Sequence, residues 1–136
     1  MKFSHPLMQS NFTKSDIIAA TKILRKKNII LTQSKQVQEF EKKWSKWLGV
    51  KYTVFVNSGS SANFLTMAAL KLLYGKGEII VPSLTWVSDI VSVIQNNFKP
   101  VFVDINPKNL CMSESKIIKK INNKTLAVFM THVQGF

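Results

Sequence analysis

The feature that most constrains this chain is an alternation, from residue 50 onward, between short apolar runs and segments of helical periodicity. The runs are rich in β-branched residues and phenylalanine and are apolar on both faces, which is typical of strands in a covered parallel sheet. They are YTVFV (52–56), EIIVP (78–82), PVFVDI (100–105) and TLAVFM (125–130). Helical segments lie between them, at 60–73, 85–97 and 113–122. The alternation predicts βαβ units and an α/β fold.

The residues before this alternating region carry two helix signals of their own. The stretch TKSD at 13–16 has the hydroxyl and carboxylate spacing of a capping box, which predicts a helix start. Ser34 is placed to cap a second helix, and Gly49 is placed to end it. We therefore divide the chain into a helical N-terminal lead-in, residues 1–49, and an α/β part, residues 50–136.

The net charge of +12 raises the question of a nucleic-acid partner. Arg25 is the only arginine, so the arginine forks that read base edges are missing. The lysines are spread along predicted helix faces, whereas a nucleic-acid surface gathers them with aromatic residues. We therefore expect no nucleic-acid partner, while binding of an anionic small molecule stays open.

The apolar content and the single cysteine indicate the kind of environment. Apolar residues make up 46% of the 136 residues, which is enough for a packed core. Cys111 is the only cysteine, so an internal disulfide is excluded and a reducing compartment fits. The opening stretch MKFSHPLMQS lacks the apolar segment of a signal peptide, and the longest apolar runs are too short to span a membrane. We expect a cytoplasmic protein with no membrane partner.

The turn NSGSSAN at 57–63 follows the first apolar run and opens a helical segment. A helix start offers unpaired N–H groups and a partial positive charge, Gly59 permits close approach, and the serines add hydroxyl donors. Together these suit a phosphate or a carboxylate. The alternative is ordinary N-capping of a core helix by serine. The turn is neither a Walker loop nor a dinucleotide fingerprint, because the required lysine and glycines are missing.

A second junction of the same kind, VPSLTWVSD at 81–89, follows the next run. Ligands of open α/β sheets bind at the carboxyl ends of the strands. Parallel strands would bring a set of polar and aromatic residues to that rim: Gly59, Ser60, Ser61, Trp86, Asp104 and His132. Trp86 suits stacking on a flat aromatic ring, but it could also be a core residue. His132 could be a partly buried structural histidine, and Asp104 could cap a turn.

The motifs LTQS, VNSGSSAN, VPSLTWVSD, PVFVDI and THVQG, in this order, resemble the N-terminal part of the DegT/StrS-type nucleotide-sugar aminotransferases. The resemblance runs from about residue 6 to residue 136. It implies the three-layer αβα fold of the pyridoxal-phosphate-dependent transferase large domain, with a mostly parallel sheet that is cut after the fourth strand. In the block that matches LTQS, the family has glycine where Ser34 stands.

The resemblance also implies roles for individual residues. Gly59, Ser60 and Ser61 match the positions that hold the phosphate of pyridoxal 5'-phosphate, and Trp86 matches the aromatic residue that stacks on its ring. Thr32 in LTQS and His132 in THVQG match segments that border the substrate. No metal is implied. Neither the Schiff-base lysine nor the aspartate that pairs with the pyridinium nitrogen falls within this sequence, because both lie further along the chain in the family.

Three functions stay open at this point. The first is an aminotransferase, a homodimer when complete, that moves an amino group from glutamate to a nucleotide-linked keto sugar for surface-polysaccharide, including lipopolysaccharide, or deoxyamino-sugar biosynthesis. The second is a sugar 3-dehydratase of the same fold, in which histidine replaces the Schiff-base lysine. The third is a non-catalytic truncated remnant. A downstream lysine, a downstream histidine or an immediate stop codon would separate them.

The sheet order of the resembled fold, 3-2-4-5-6-7-1, makes a specific prediction for this chain. The runs at 78–82, 100–105 and 125–130 correspond to strands 2, 3 and 4, which are neighbours and can pair. The run at 52–56 corresponds to strand 1, which belongs at the far edge and lacks its neighbour here. We expect it to stand apart from a three-stranded sheet, or to add to the edge of strand 4. Its unpaired backbone groups predict an isolated chain that is marginally stable or prone to aggregate.

Overall fold

The structure, a computed structural model, describes residues 10–132. The chain divides into two compact units, with the boundary between Phe55 and Val56. The first unit is helical and the second contains the sheet. The predicted division at residues 49 and 50 stays a prediction.

The first unit contains two helices, α1 (Lys14–Leu24) and α2 (Lys35–Leu48). The capping box at the start of α1 is confirmed, because Thr13 Oγ1 accepts from the Asp16 amide at 3.3 Å and Asp16 Oδ2 accepts from the Thr13 amide at 2.8 Å. α2 starts after Ser34 as predicted, but the Ser34 side chain makes no capping bond. α2 ends at Gly49, whose φ of 75° is the left-handed conformation that favours glycine.

The apolar face of α2 carries an aromatic cluster that consists of Phe40, Trp44, Trp47 and Phe55. The rings of Phe40 and Trp44 stack with their centroids 5.7 Å apart, and Phe55 meets Phe40 edge-on at 5.4 Å. The segment that ends in Phe55 is tied to α2, since the Phe55 amide donates to Glu41 Oε1 at 2.8 Å. None of the residues 10–55 is buried, and even the cluster residues are about half exposed or more.

The second unit alternates helices with three strands. In chain order its elements are α3 (Gly59–Tyr74), β1 (Glu78–Pro82), α4 (Val87–Gln95), β2 (Lys99–Val103), α5 (Glu114–Ile118) and β3 (Thr125–Val128). The strands form one sheet with the order β2-β1-β3, and both strand pairs are parallel. The predicted α/β alternation is therefore confirmed, although the last helix is shorter than the predicted span of 113–122.

The central strand β1 is buried on both faces, which explains its unbroken apolar sequence. Ile79 and Val81 point to one face, where they pack with Met67 of α3, Val93 of α4 and Phe98. The opposite face has its own cluster: Ile80, Val103 and Met112, with Val101 and Ile117 of α5 packed against it. Helices therefore lie on both sides of the sheet, which confirms the predicted αβα layering.

The strand order agrees with the prediction, and residues 52–56 lie outside the three-stranded sheet as expected, but the strand predicted for that segment is wrong. β2, β1 and β3 are the predicted strands 3, 2 and 4, and they are neighbours in that order. Residues 52–56 form no strand, although the sequence has strand character there. The physical reason is that a strand requires a pairing partner, and none of the residues 10–132 supplies one. The alternative in which this segment adds to the edge of β3 is also absent from the described sheet.

Glu78 at the start of β1 makes the sheet sensitive to acid. Its side chain, 11% exposed, accepts from Lys99 Nζ at 2.9 Å and from Asn122 Nδ2 at 2.9 Å. The hydrogen bond from Asn122, followed by that from Lys99, lowers the pKa of Glu78 below its ordinary value of 4.5. A lowered carboxyl pKa stabilises the folded state above the unfolded-state pKa, and this stabilisation is lost as the pH falls through the folded-state pKa.

We therefore expect Glu78→Gln to destabilise the chain at pH 7 and to lose most of that difference near pH 3. The measurement is the urea midpoint of unfolding at both pH values. Glu114→Gln, at an exposed position of α5, serves as the matched control. If Glu78→Gln lowers the urea midpoint equally at both pH values, the ionisation of this carboxylate contributes nothing to stability.

Candidate active site

The start of α3 combines a capped helix end with free backbone amides. Ser58 caps the helix, because its Oγ accepts from the Ser61 amide at 3.2 Å. Ser61 Oγ donates to Asn57 Oδ1 at 2.7 Å. The amides of Gly59 and Ser60 and the Ser60 hydroxyl make no hydrogen bond among residues 10–132. The two interpretations of the sequence are therefore compatible, since capping occupies Ser58 and Ser61 and leaves donors at Gly59 and Ser60.

Gly59 lies in open space. A β-carbon added to Gly59 would meet no atom within 4 Å. The first turn of α3 is therefore accessible to a ligand from outside, and the partial positive charge of the helix end favours an anion there.

Trp86 precedes the first residue of α4 and is largely exposed. Its side chain makes no capping hydrogen bond, and 73% of the residue surface is accessible. A tryptophan in the core would be buried, so the core alternative fails for the described part of the chain. The free indole face is available for stacking on a flat ring.

Asp104 and His132 follow the carboxyl ends of β2 and β3. Asp104 Oδ1 accepts from the Ile105 amide at 3.1 Å, as expected of a turn-capping carboxylate. Asp104 Oδ2 lies 3.2 Å from Lys116 Nζ, and this contact is the main reason that the pKa of Asp104 is lowered. His132 is exposed, and residues 133–135 of the THVQG motif lie outside the described residues.

Thr32 belongs to the first unit and lies in an exposed bend before α2. Gln33 next to it has a φ of 42°, in the left-handed region, whereas Ser34 has a φ of −82° that any residue adopts. The serine at the family's glycine position is therefore free of backbone strain. The role of Thr32 stays a prediction.

One residue of this region was not singled out from the sequence. Asp89, in the first turn of α4, is only 6% exposed, and its carboxylate is satisfied by neutral donors. Oδ1 accepts from Asn63 Nδ2 at 2.7 Å, while Oδ2 accepts from the hydroxyls of Thr85 at 2.5 Å and Thr131 at 2.8 Å. The available signal was its spacing, because Asp89 stands four residues before the buried Val93 and so on the buried face of α4.

The contacts of Asp89 bring together three places that the sequence predicted to meet. Asn63 lies on α3 just after the turn with Gly59 and Ser60, Thr85 precedes Trp86, and Thr131 follows β3. Among residues 10–132 there is no cluster of three or more side chains that could hold a metal ion, and none of the helices could cross a bilayer.

Comparison with known families decides which fold family this arrangement belongs to. The model of the DegT/DnrJ/EryC1/StrS aminotransferase family matches residues 11–136. The chain belongs to this family. The resemblance inferred from the motifs is thus confirmed over nearly the whole sequence.

The relatives of this chain include both a sugar-nucleotide synthase and a sugar-nucleotide dehydratase. GDP-perosamine synthase from Vibrio cholerae is 34% identical over 106 residues, which are 78% of this chain and 29% of that protein. GDP-4-keto-6-deoxy-D-mannose 3-dehydratase from Yersinia pseudotuberculosis is 32% identical over 135 residues, which are 96% of this chain and 34% of that protein. The chain therefore spans about one third of the length of these relatives.

A solved structure supports the fold. The E. coli GDP-4-keto-6-deoxy-D-mannose-3-dehydratase with bound hydrated PLP superimposes with a TM-score of 0.82 at 30% sequence identity. The match covers 93% of this chain and 33% of that one. The fold of this chain is accordingly that of the N-terminal third of a pyridoxal-phosphate family member.

Proposed function

We propose that this chain is the N-terminal portion of a pyridoxal-phosphate-dependent aminotransferase that acts on a nucleotide-linked keto sugar. The biosynthesis of surface polysaccharides or deoxyamino sugars is the process that such an activity serves. The observation that carries the proposal is the family match over residues 11–136, together with relatives that act on GDP-linked sugars.

The residues of the second unit fit the cofactor. The amides of Gly59 and Ser60 and the hydroxyl of Ser60 would bind the phosphate of pyridoxal 5'-phosphate, with Ser61 as the fourth predicted contact. The exposed indole of Trp86 would stack on its ring. The bound cofactor supplies an electron sink, and the residues of this chain supply its binding and orientation.

The remaining partners belong to the proposal as well. Thr32 and His132 would border the sugar nucleotide, and glutamate would be the amino donor. The full-length enzyme would be a cytoplasmic homodimer. Thr32 lies in the first unit and His132 in the second, so each can be tested by its own substitution.

A sugar 3-dehydratase is the second candidate, and the comparisons give it specific support. The Yersinia relative covers 96% of this chain, against 78% for the Vibrio synthase, at nearly equal identity. The deciding residue is the one at the Schiff-base position downstream of residue 136. The decisive experiment is to read the gene beyond this point and to assay the full-length protein: lysine with glutamate-dependent amination supports the aminotransferase, and histidine with loss of the 3-hydroxyl supports the dehydratase.

The 136-residue chain alone is expected to show no transaminase turnover, because it spans only about one third of its relatives. The measurement is glutamate-dependent amination of a 4-keto nucleotide sugar, with a full-length aminotransferase of the family as the positive control. Turnover by the purified chain above the background of free pyridoxal phosphate would contradict the expectation.

A further inference from the structure

We propose that Asp89 is a positioning residue that fixes the start of α3, the loop before α4 and the end of β3 relative to one another. The inference rests on the proposed function for its purpose, since these three places carry the predicted phosphate, ring and substrate contacts. The structural evidence for the inference is the set of hydrogen bonds that Asp89 makes.

The geometry of the carboxylate is that of a hub with one bond to each of three segments. Both oxygens are used, with the Asn63 amide on Oδ1 and the hydroxyls of Thr85 and Thr131 on Oδ2. The two threonine hydroxyls are also 2.7 Å from each other, although they are 46 residues apart in sequence. A single side chain therefore links the start of α3, the loop before α4 and the end of β3, which the backbone hydrogen bonds of the sheet do not join to one another.

Because Asp89 is buried, the loss of any one of its hydrogen bonds is costly. Asp89 is 6% exposed, so water cannot replace a lost partner without entering the junction. The position of Asp89 in the first turn of α4 also stabilises its charge, because the N-terminal end of a helix carries a partial positive charge. Removal of the carboxylate would leave at least one of the two hydroxyls without an acceptor and the Asn63 amide with only a long contact of 3.4 Å to Ser88 Oγ, which costs more than the bonds themselves contribute.

Asp89 affects the predicted site through the residues to which its carboxylate is hydrogen-bonded. Trp86 is exposed and makes no hydrogen bond that would orient its indole, so its position depends on its neighbour Thr85 and on the first turn of α4. Asn63 is one turn beyond Gly59 on α3 and connects the phosphate end of the site to the same carboxylate. Asp89 thus sets the spacing between the phosphate donors and the stacking surface without touching the cofactor.

The test compares deuterium uptake of segments 59–66, 83–90 and 126–132 in variants of the 136-residue chain without cofactor. Asp89→Ala should raise the exchange rates of all three segments by about tenfold or more, the effect of unmade buried hydrogen bonds. Asp89→Asn should restore most of the protection, because its Oδ1 can accept from both hydroxyls and its Nδ2 can donate to an inverted Asn63 amide. Glu114→Gln is the matched control, because Glu114 is an exposed carboxylate in the first turn of α5 as Asp89 is in the first turn of α4, and it should change none of the three segments.

A second variant and a second signal keep the proposal testable if Asp89→Ala fails to fold. Thr131→Val preserves shape and removes the contacts of this hydroxyl with Asp89 and Thr85, so it should raise exchange most in 126–132. In a Trp44→Phe/Trp47→Phe background, the fluorescence anisotropy of Trp86 should fall in Asp89→Ala and stay unchanged in Glu114→Gln. Unchanged exchange and anisotropy in Asp89→Ala would overturn the hub, whereas a full-length enzyme that binds no pyridoxal phosphate would overturn the proposed function and leave these measurements valid.

Discussion

Replacing Ile79 by alanine is expected to lower the free energy of unfolding of the second unit by about 2–5 kcal/mol. Ile79 is completely buried in the central strand β1, where it packs with Met67, Val81 and Val93. The substitution removes buried apolar volume and leaves a cavity, because strands on both sides of β1 prevent the sheet from collapsing into it. The measurement is urea-induced unfolding of the 136-residue chain followed by circular dichroism. If the free energy of unfolding of the unmodified chain is smaller than this loss, the variant shows no cooperative unfolding transition.

The matched control for this variant is Ile94→Ala. Ile94 is the same residue type in the same unit but is 55% exposed on α4, where alanine is also the better helix former. The control should unfold within about 1 kcal/mol of the unmodified chain, in line with surface substitutions elsewhere. Equal destabilisation by the two variants would mean that β1 is not the packed centre of the unit.

Replacing Ser60 by alanine in the full-length enzyme is expected to weaken the binding of pyridoxal 5'-phosphate by roughly ten- to a hundredfold. The Ser60 hydroxyl is one of the groups at the start of α3 that capping leaves available, so its loss removes a hydrogen bond to a charged phosphate. The measurement is the dissociation constant from a titration of the apoenzyme, followed through cofactor absorbance.

Ser115 supplies a control at the same helical position. Ser60 and Ser115 are both second residues of their helices, α3 and α5, but Ser115 lies at a separate helix start. Ser115→Ala should leave the dissociation constant unchanged. An unchanged constant for Ser60→Ala as well would count against the assignment of the phosphate to this turn.

The sheet was predictable from sequence because its signal is local. The run EIIVP is apolar at every central position, and only a strand that is buried on both faces requires this, as β1 is. The order β2-β1-β3 was not encoded in any single run and came from the resemblance to a known fold. Residues 52–56 show the limit of local patterns, because strand character cannot form a strand without a partner.

The part of the site that depends on local backbone structure was predictable from the sequence. The part that depends on packing between distant segments was not. The residue types and spacing of the serines and the glycine at 58–61 predict a helix start, and the structure has a capped helix start there. Asp89 gave no comparable signal, since its partners Thr85 and Thr131 are an ordinary neighbour and a residue 42 positions away. A buried carboxylate is recognised by its donors, and these are visible only after the chain has folded.

The exposed aromatic cluster of the first unit has a calorimetric consequence. The heat-capacity change on unfolding scales with the apolar area that the folded chain hides from water. None of the residues 10–55 is buried, and Trp47 at one end of the cluster is 74% exposed. The first unit therefore contributes little to the heat-capacity change, and the curvature of the stability of this chain with temperature originates in the sheet and the helices that cover it.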